Sequence, residues 1–228
     1  MPDPFPHHYA LLEHLHERLQ PRTYVEIGVD AGLSLRFARP GTTVLGIDPA
    51  LADEVVATHP DATLIASTSD DFFATHDLGA LLGDRPLDLA FVDGMHRFEF
   101  VLRDLANLQP HCHPDTVVLI HDCLPTDRAC AARDRTTVAW AGDVWRAAHA
   151  LSTERPEIGF VTLDVAPTGM GLLTGLGRAE PLADQVDDWT ERYAEVDYDV
   201  FERDPVGAVN RRPGTADLLD RLLPHRRP

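Results

Sequence analysis

The chain has 228 residues, 44% of them apolar, and three cysteines, which suits one domain with a full core and excludes a disulfide framework. Its 20 basic residues are all arginine and face 37 acids, giving a net charge of −17; nucleic acid is an unsuitable partner, because phosphate contacts need a basic face. No apolar run approaches the ~20 residues of a membrane span, and the opening MPDPFPHHY lacks the basic start and apolar centre of a secretory signal. The expectation is a cytoplasmic protein, off the membrane, acting on a small molecule.

Taken in order, residues 5–20 read as an amphipathic helix, with Tyr9, Leu12, Leu15 and Leu19 at helical spacing. Its histidines (His7, His8, His14, His16) read as solvated or capping side chains, since no carboxylate cluster accompanies them. Short apolar runs then alternate with helical patterns. The runs are 23–29, 42–48, 62–67, 87–93 and 116–122, mostly without polar alternation, as in strands buried on both faces. Helices are expected over roughly 32–39, 50–58, 70–82 and 96–108. This βαβα rhythm predicts a doubly wound, mostly parallel α/β sheet.

Past residue 122 a polar loop leads to a helix near 140–153. Two strand candidates follow, 158–164 and 169–176, too close for a helical crossover and so expected to form an antiparallel hairpin at the sheet edge. The total is seven strands. Trp145 is expected to pack that last helix on the sheet and Asp143 to cap it, with Trp140 left open. Residues 1–178 read as one domain. Residues 179–228 read as an extension of one or two helices and a tail, which could pack on a second subunit to make a homodimer. Cys112, Cys123 and Cys130 read as free thiols.

The first turn, Glu26-Ile-Gly28-Val-Asp-Ala-Gly32, carries an acid and two glycines where a strand gives way to a helix. In open parallel sheets, ligands bind beyond the strand ends near the switch point. Gly28 would allow the bend and Gly32 a close approach of ligand to backbone. The spacing is not the G-x-G-x-x-G of a dinucleotide cradle, and a carboxylate in the turn suits a cationic ligand better than a phosphate. Asp48 ends the second strand, where a carboxylate can accept from both ribose hydroxyls. Asp70 follows the third strand, where an acid can accept from an adenine amino group.

Together these features resemble the class I S-adenosylmethionine-dependent methyltransferases, over about residues 20–176. The resemblance implies a Rossmann-like fold and S-adenosylmethionine as cofactor. It assigns Glu26, Gly28 and Gly32 to the methionine portion, Asp48 to the ribose, and Asp70 to the adenine, with Asp93 at the far end of the donor site.

The fourth and fifth strands end in Asp93-Gly94-Met-His96 and in His121-Asp122. Two carboxylates with a histidine make an oxygen-rich site for a hard cation such as Mg²⁺, and a histidine there can take a proton from a hydroxyl. The alternative is a helix cap by Asp93 or Gly94 with no metal. The D-G-x-H pattern followed by an acid pair resembles the macrocin and mycinamicin sugar O-methyltransferases and their cephalosporin-pathway relatives. That resemblance implies Asp93, His121 and Asp122 as metal ligands and His96 as general base, within natural product biosynthesis. His121 departs from the pattern, which has a carboxylate there, so metal dependence stays open and His121 is a second candidate base. The expected function is O-methylation of a small molecule. Three rivals stand beside it: metal-free N- or C-methylation on the same fold, a nicotinamide oxidoreductase, and a non-catalytic binding module.

Overall fold

The computed structural model describes residues 3–223; the last residues of the expected tail, 224–228, lie outside them. Five parallel strands form the heart of one sheet: β1 (Thr23–Ile27), β2 (Thr43–Ile47), β3 (Thr63–Ile65), β4 (Leu87–Val92) and β5 (Cys112–His121). β6 (Gly159–Asp164) and β7 (Met170–Thr174) form the expected antiparallel hairpin, with β7 against β5. An eighth strand, β8 (Arg211–Pro213), runs parallel to β6, so the order is β3-β2-β1-β4-β5-β7-β6-β8. β8 went unpredicted because Arg-Arg-Pro carries no strand signal. It is held from outside, by Thr162 N–H donating to the Asn210 carbonyl (3.2 Å), the Asn210 amide to Phe160 (2.6 Å), and an Arg211–Asp164 ion pair (2.6 Å).

Both faces are covered, as the unbroken apolar runs require. Val25, Ile27, Ala90, Val92, Val118 and Ile120 join one core cluster, and their alternate neighbours Tyr24, Leu89, Phe91, Val117 and Leu119 join the other. This is the period of two in a strand with no solvent face. α1 (His8–Leu19) lies on the second cluster through Leu11, Leu12 and Leu15. It ends at Gln20, in left-handed conformation, before Pro21, which cannot continue a helix. α5 (Phe98–Leu108) and α6 (Trp145–Glu154) cover the first cluster, joined by Trp189, Tyr193 and Phe201 of α7 (Val186–Ala194) and α8 (Asp199–Arg203). The described residues after 178 therefore contribute α7 and α8 to the first cluster, α9 (Ala216–Leu222) to the second, and a strand to the sheet edge.

Four predicted helices change. Only one 3-10 turn, Leu35–Phe37, forms within 32–39, because Gly32 takes φ +70° and Pro40 blocks continuation. The single helix expected over 70–82 is two, α3 (Ser69–Thr75) and α4 (Leu78–Leu81), because Asp77 turns out of the helix to cap Ala80 N–H at 3.1 Å. α2 (Asp53–Thr58) starts later than expected. α6 also begins later, at Trp145, which leaves Trp140 in the preceding loop; Trp145 itself is buried in the core as predicted.

Candidate active site

A cleft of about 670 Å³ opens at the carboxyl ends of β1, β2, β4 and β5, where the order reverses between β1 and β4. Its lining includes Gly28, Asp30, Asp48, the run Ser67–Asp70, Asp93, Met95, His96, His121, Asp122, Arg135, Trp140 and Thr168. That volume suits a metabolite-sized ligand. Three non-glycine residues on its wall sit at left-handed φ: Asp30 (+46°), His96 (+56°) and Asp122 (+65°). Such backbone is costly and gathers at functional sites.

The β1 turn is built from within. Gly28 takes φ +89°, and a Cβ there would lie 2.1 Å from the backbone oxygen of Asp93, so the glycine lets the ends of β1 and β4 meet. Asp48 then fixes the turn: Oδ2 accepts from the N–H groups of Val29 and Asp30, both at 2.9 Å, and Oδ1 from Ala50 at 2.7 Å.

Two expected donor ligands lie elsewhere. Glu26 is fully buried beneath the turn, outside the cleft wall, where its carboxyl accepts from Ser34 Oγ and from Tyr24 Oη (2.7 Å). Burial pushes it up to about 8, against the pull of those two bonds, so it is largely uncharged at neutral pH and supplies no full negative charge to a ligand. Gly32 faces Val55 and His59, not the cleft; its space serves packing against α2. Asp70 does line the cleft, but Arg103 holds both its oxygens, at 2.9 and 2.7 Å, which competes with an adenine amino group. Asp30 was missed, although its place between the two glycines marks it: its backbone is held by Asp48 while the side chain stands at the cleft.

At the other end β4 and β5 bring Asp93, His96, His121 and Asp122 together. His96 Nδ1 lies 2.8 Å from Asp122 Oδ2 and its Nε2 lies 3.5 Å from Asp93 Oδ1. His121 Nδ1 lies 3.1 Å from Asp93 Oδ1. Thr168, from the loop joining β6 to β7, donates to Asp122 Oδ1. Burial pulls both histidines down, but the carboxylates outweigh it: His96 ends above its ordinary value and His121 at about 9. Asp122 ends below its ordinary value, burial being outweighed by His121 and His96.

The cluster differs from the set expected for a metal. Ligand atoms of Asp93, His96 and Asp122 all lie within 4.8 Å of one another, and Asp122 Oδ2 is buried without an aligned hydrogen-bond donor. Two carboxylates and an imidazole this close suit a divalent cation. His121 stands behind: one nitrogen faces Asp93, the other is buried with no partner, and the His8 ring covers it at 4.4 Å between centroids. His8 is thus neither solvated nor a cap, whereas His7 does cap α1, accepting from Ala10 N–H at 3.1 Å.

Nor does Asp93 or Gly94 cap α5. The N–H of Phe98 is taken by Asp143, at 3.0 Å, so Asp143 caps α5 and not α6. The loop carrying Asp143 also clamps His96. A Cβ on Gly142 would fall 1.8 Å from the His96 carbonyl oxygen, and Trp140 stacks on the imidazole at 5.2 Å with 8° between planes.

Residues 25–123 match a family model described as a methyltransferase domain. That match covers less than half of the chain, and on it the chain is an enzyme. That match spans both ends of the cleft, from β1 to the residue after Asp122. No curated protein matches the chain in sequence. Among solved structures, the O-methyltransferase TomG from Streptomyces achromogenes, involved in tomaymycin synthesis and in complex with S-adenosylmethionine, is 19% identical with a TM-score of 0.58, over 74% of this chain and 79% of that one. The Podospora anserina methyltransferase PaMTH1, bound to S-adenosylhomocysteine, is 14% identical with a TM-score of 0.56, over 74% and 77%. An O-methyltransferase from Bacillus cereus, in complex with S-adenosylhomocysteine, is 14% identical with a TM-score of 0.55, over 75% and 82%. The chain thus has the α/β Rossmann-like fold of these structures, with an eighth strand added to the expected seven. Among its described residues no helix is long and apolar enough to cross a membrane.

Proposed function

We propose that this enzyme transfers the methyl group of S-adenosylmethionine to a hydroxyl of a small molecule, in specialised metabolism, with His96 as the base. The observation that carries this is the seat of His96 between Asp93 and Asp122, at the same cleft as the Gly28 turn. Gly28, Asp30 and Asp48 would hold the donor's amino-acid and ribose portions, and the run Ser67–Asp70 its base. Asp48 keeps one lone pair free on Oδ1 for a ribose hydroxyl after serving three backbone N–H groups.

The chemistry asks little beyond position. The acceptor O–H gives its proton to His96 Nε2, while Asp122 stabilises the positive charge that forms beside Nδ1. The oxygen attacks the methyl carbon, a C–O bond forms, the C–S bond breaks with its electrons returning to sulfur, and the sulfonium becomes a neutral thioether. The Trp140 ring fixes the imidazole plane and excludes water from one side. Asp93 and Asp122 are the residues that would hold a divalent cation while His96 stays the base; such a cation would lower the pKa of the acceptor hydroxyl.

Calorimetry with S-adenosylhomocysteine, with and without Mg²⁺, on the native protein and on Asp93→Ala tests both parts. Expected are donor-product binding by the native protein and a heat of Mg²⁺ binding lost in the variant. No binding of S-adenosylhomocysteine would refute methyl transfer. Binding that is blind to Mg²⁺ would remove the cation alone.

A further inference from the structure

We propose that Arg135 forms an anion subsite in the acceptor end of the cleft, so that the molecule methylated carries a carboxylate or phosphate apart from its reacting hydroxyl; this rests on the methyl-transfer reading above. The cleft wall holds five aspartates and, among its described residues, a single arginine. In a chain where acids so outnumber arginines, a guanidinium ordinarily finds a carboxylate. The neighbours of Arg135 do: Arg97 pairs with Asp134, Arg103 with Asp70, Arg128 with Asp199, and Arg133 with Glu99 and Asp143. Arg135 has none among the described residues. Its recorded contacts are the Val138 carbonyl at 3.3 Å and the Trp140 ring at 6.0 Å.

The loop is built to place it there. Arg133 and Asp134 tie consecutive positions to α5, through Glu99 and through Arg97 at 3.3 Å. Trp140 Nε1 donates to the Ala132 carbonyl at 2.6 Å, and Ala141 N–H to Cys130 at 3.0 Å, closing the loop on itself. The next residue after this pair of ties lines the cleft. Trp140 lies between Arg135 and His96, with spacings of 6.0 and 5.2 Å. The sum of those two distances is the most that can separate guanidinium from imidazole, so a hydroxyl at His96 and an anion at Arg135 fit one metabolite-sized molecule. Exposed Met95 lines the same cleft and adds apolar surface for the body of that molecule. A planar guanidinium takes a carboxylate or phosphate through two parallel hydrogen bonds, which a nearby aromatic face reinforces by shielding it from water.

The test is calorimetry on the native protein saturated with S-adenosylhomocysteine, titrated with benzoate and separately with inorganic phosphate, then repeated on Arg135→Gln. Expected is binding of at least one anion, weakened about tenfold or more by the substitution, as for loss of one charge-assisted contact, with S-adenosylhomocysteine affinity unchanged. Benzoate alone binding would assign a carboxylate, and phosphate alone a phosphate; either supports the subsite. Neither anion binding, or binding unaltered in Arg135→Gln, would overturn it. Weaker binding of S-adenosylhomocysteine by Arg135→Gln would also overturn it, because the guanidinium would then serve the donor's own carboxylate. If the native protein binds S-adenosylhomocysteine but neither anion, only the subsite fails; if it does not bind S-adenosylhomocysteine, methyl transfer fails with it.

Discussion

Asp48→Asn separates two roles that one carboxylate plays. In the folded chain Asp48 Oδ2 accepts from Val29 and Asp30 and Oδ1 from Ala50, with the side chain almost wholly buried. An asparagine has one oxygen. Turned to keep Val29 and Asp30, it points its NH₂ at the N–H of Ala50, so one bond is lost and a donor faces a donor. A hydrogen bond to a charged group contributes roughly 1.5–3 kcal/mol, and the two that survive become weaker neutral bonds of about 1 kcal/mol each. The expected loss is about 2.5–7 kcal/mol of folding stability, a large share of the ~5–15 kcal/mol typical of a domain. Urea unfolding without any ligand reads this directly as a lower midpoint at constant slope. If the midpoint of Asp48→Asn matches the native protein while S-adenosylhomocysteine binding is lost, Asp48 is a ligand contact and the turn does not need it, which refutes the reasoning from its three backbone bonds.

Gly28→Ala places a methyl group 2.1 Å from the Asp93 oxygen at φ +89°, so it should separate the ends of β1 and β4; loss of S-adenosylhomocysteine binding by calorimetry checks this. Glu26 titrates near 8 in the folded chain against an ordinary 4.5, so the folded state holds a proton that the unfolded chain releases. That stabilisation is complete below about pH 4.5 and is lost as pH rises toward 8, at up to about 1.4 kcal/mol per pH unit. Urea midpoints across this window should fall for the native protein and fall less for Glu26→Gln; parallel curves would contradict the burial of a neutral carboxyl. His96→Ala should lower kcat by about 10²–10⁴ with little change in S-adenosylhomocysteine affinity, as for loss of a general base, and an unaltered kcat would assign the proton transfer elsewhere.

Sequence alone was enough for the seven expected strands because their signals are local or periodic. Apolar runs without alternation fit strands covered on both faces, and a five-residue gap holding Pro167 and Gly169 can only return the chain as a hairpin. The same reading marked Asp48, Asp93, His96 and Asp122, since chemistry-bearing residues at the carboxyl ends of parallel strands must share one edge. It could not tell a residue at that edge from one beneath it. Glu26 and Gly32 belong to the same motif as Gly28, yet strand pleat turns Glu26 into the core and the bend turns Gly32 toward α2. Partners distant in sequence decided the rest: Arg103 takes Asp70, His8 covers His121, Asp143 caps α5, and Trp140 reaches back over His96. Each depends on which elements the closed sheet brings within a few ångströms, and that is a property of three-dimensional packing which no local pattern encodes.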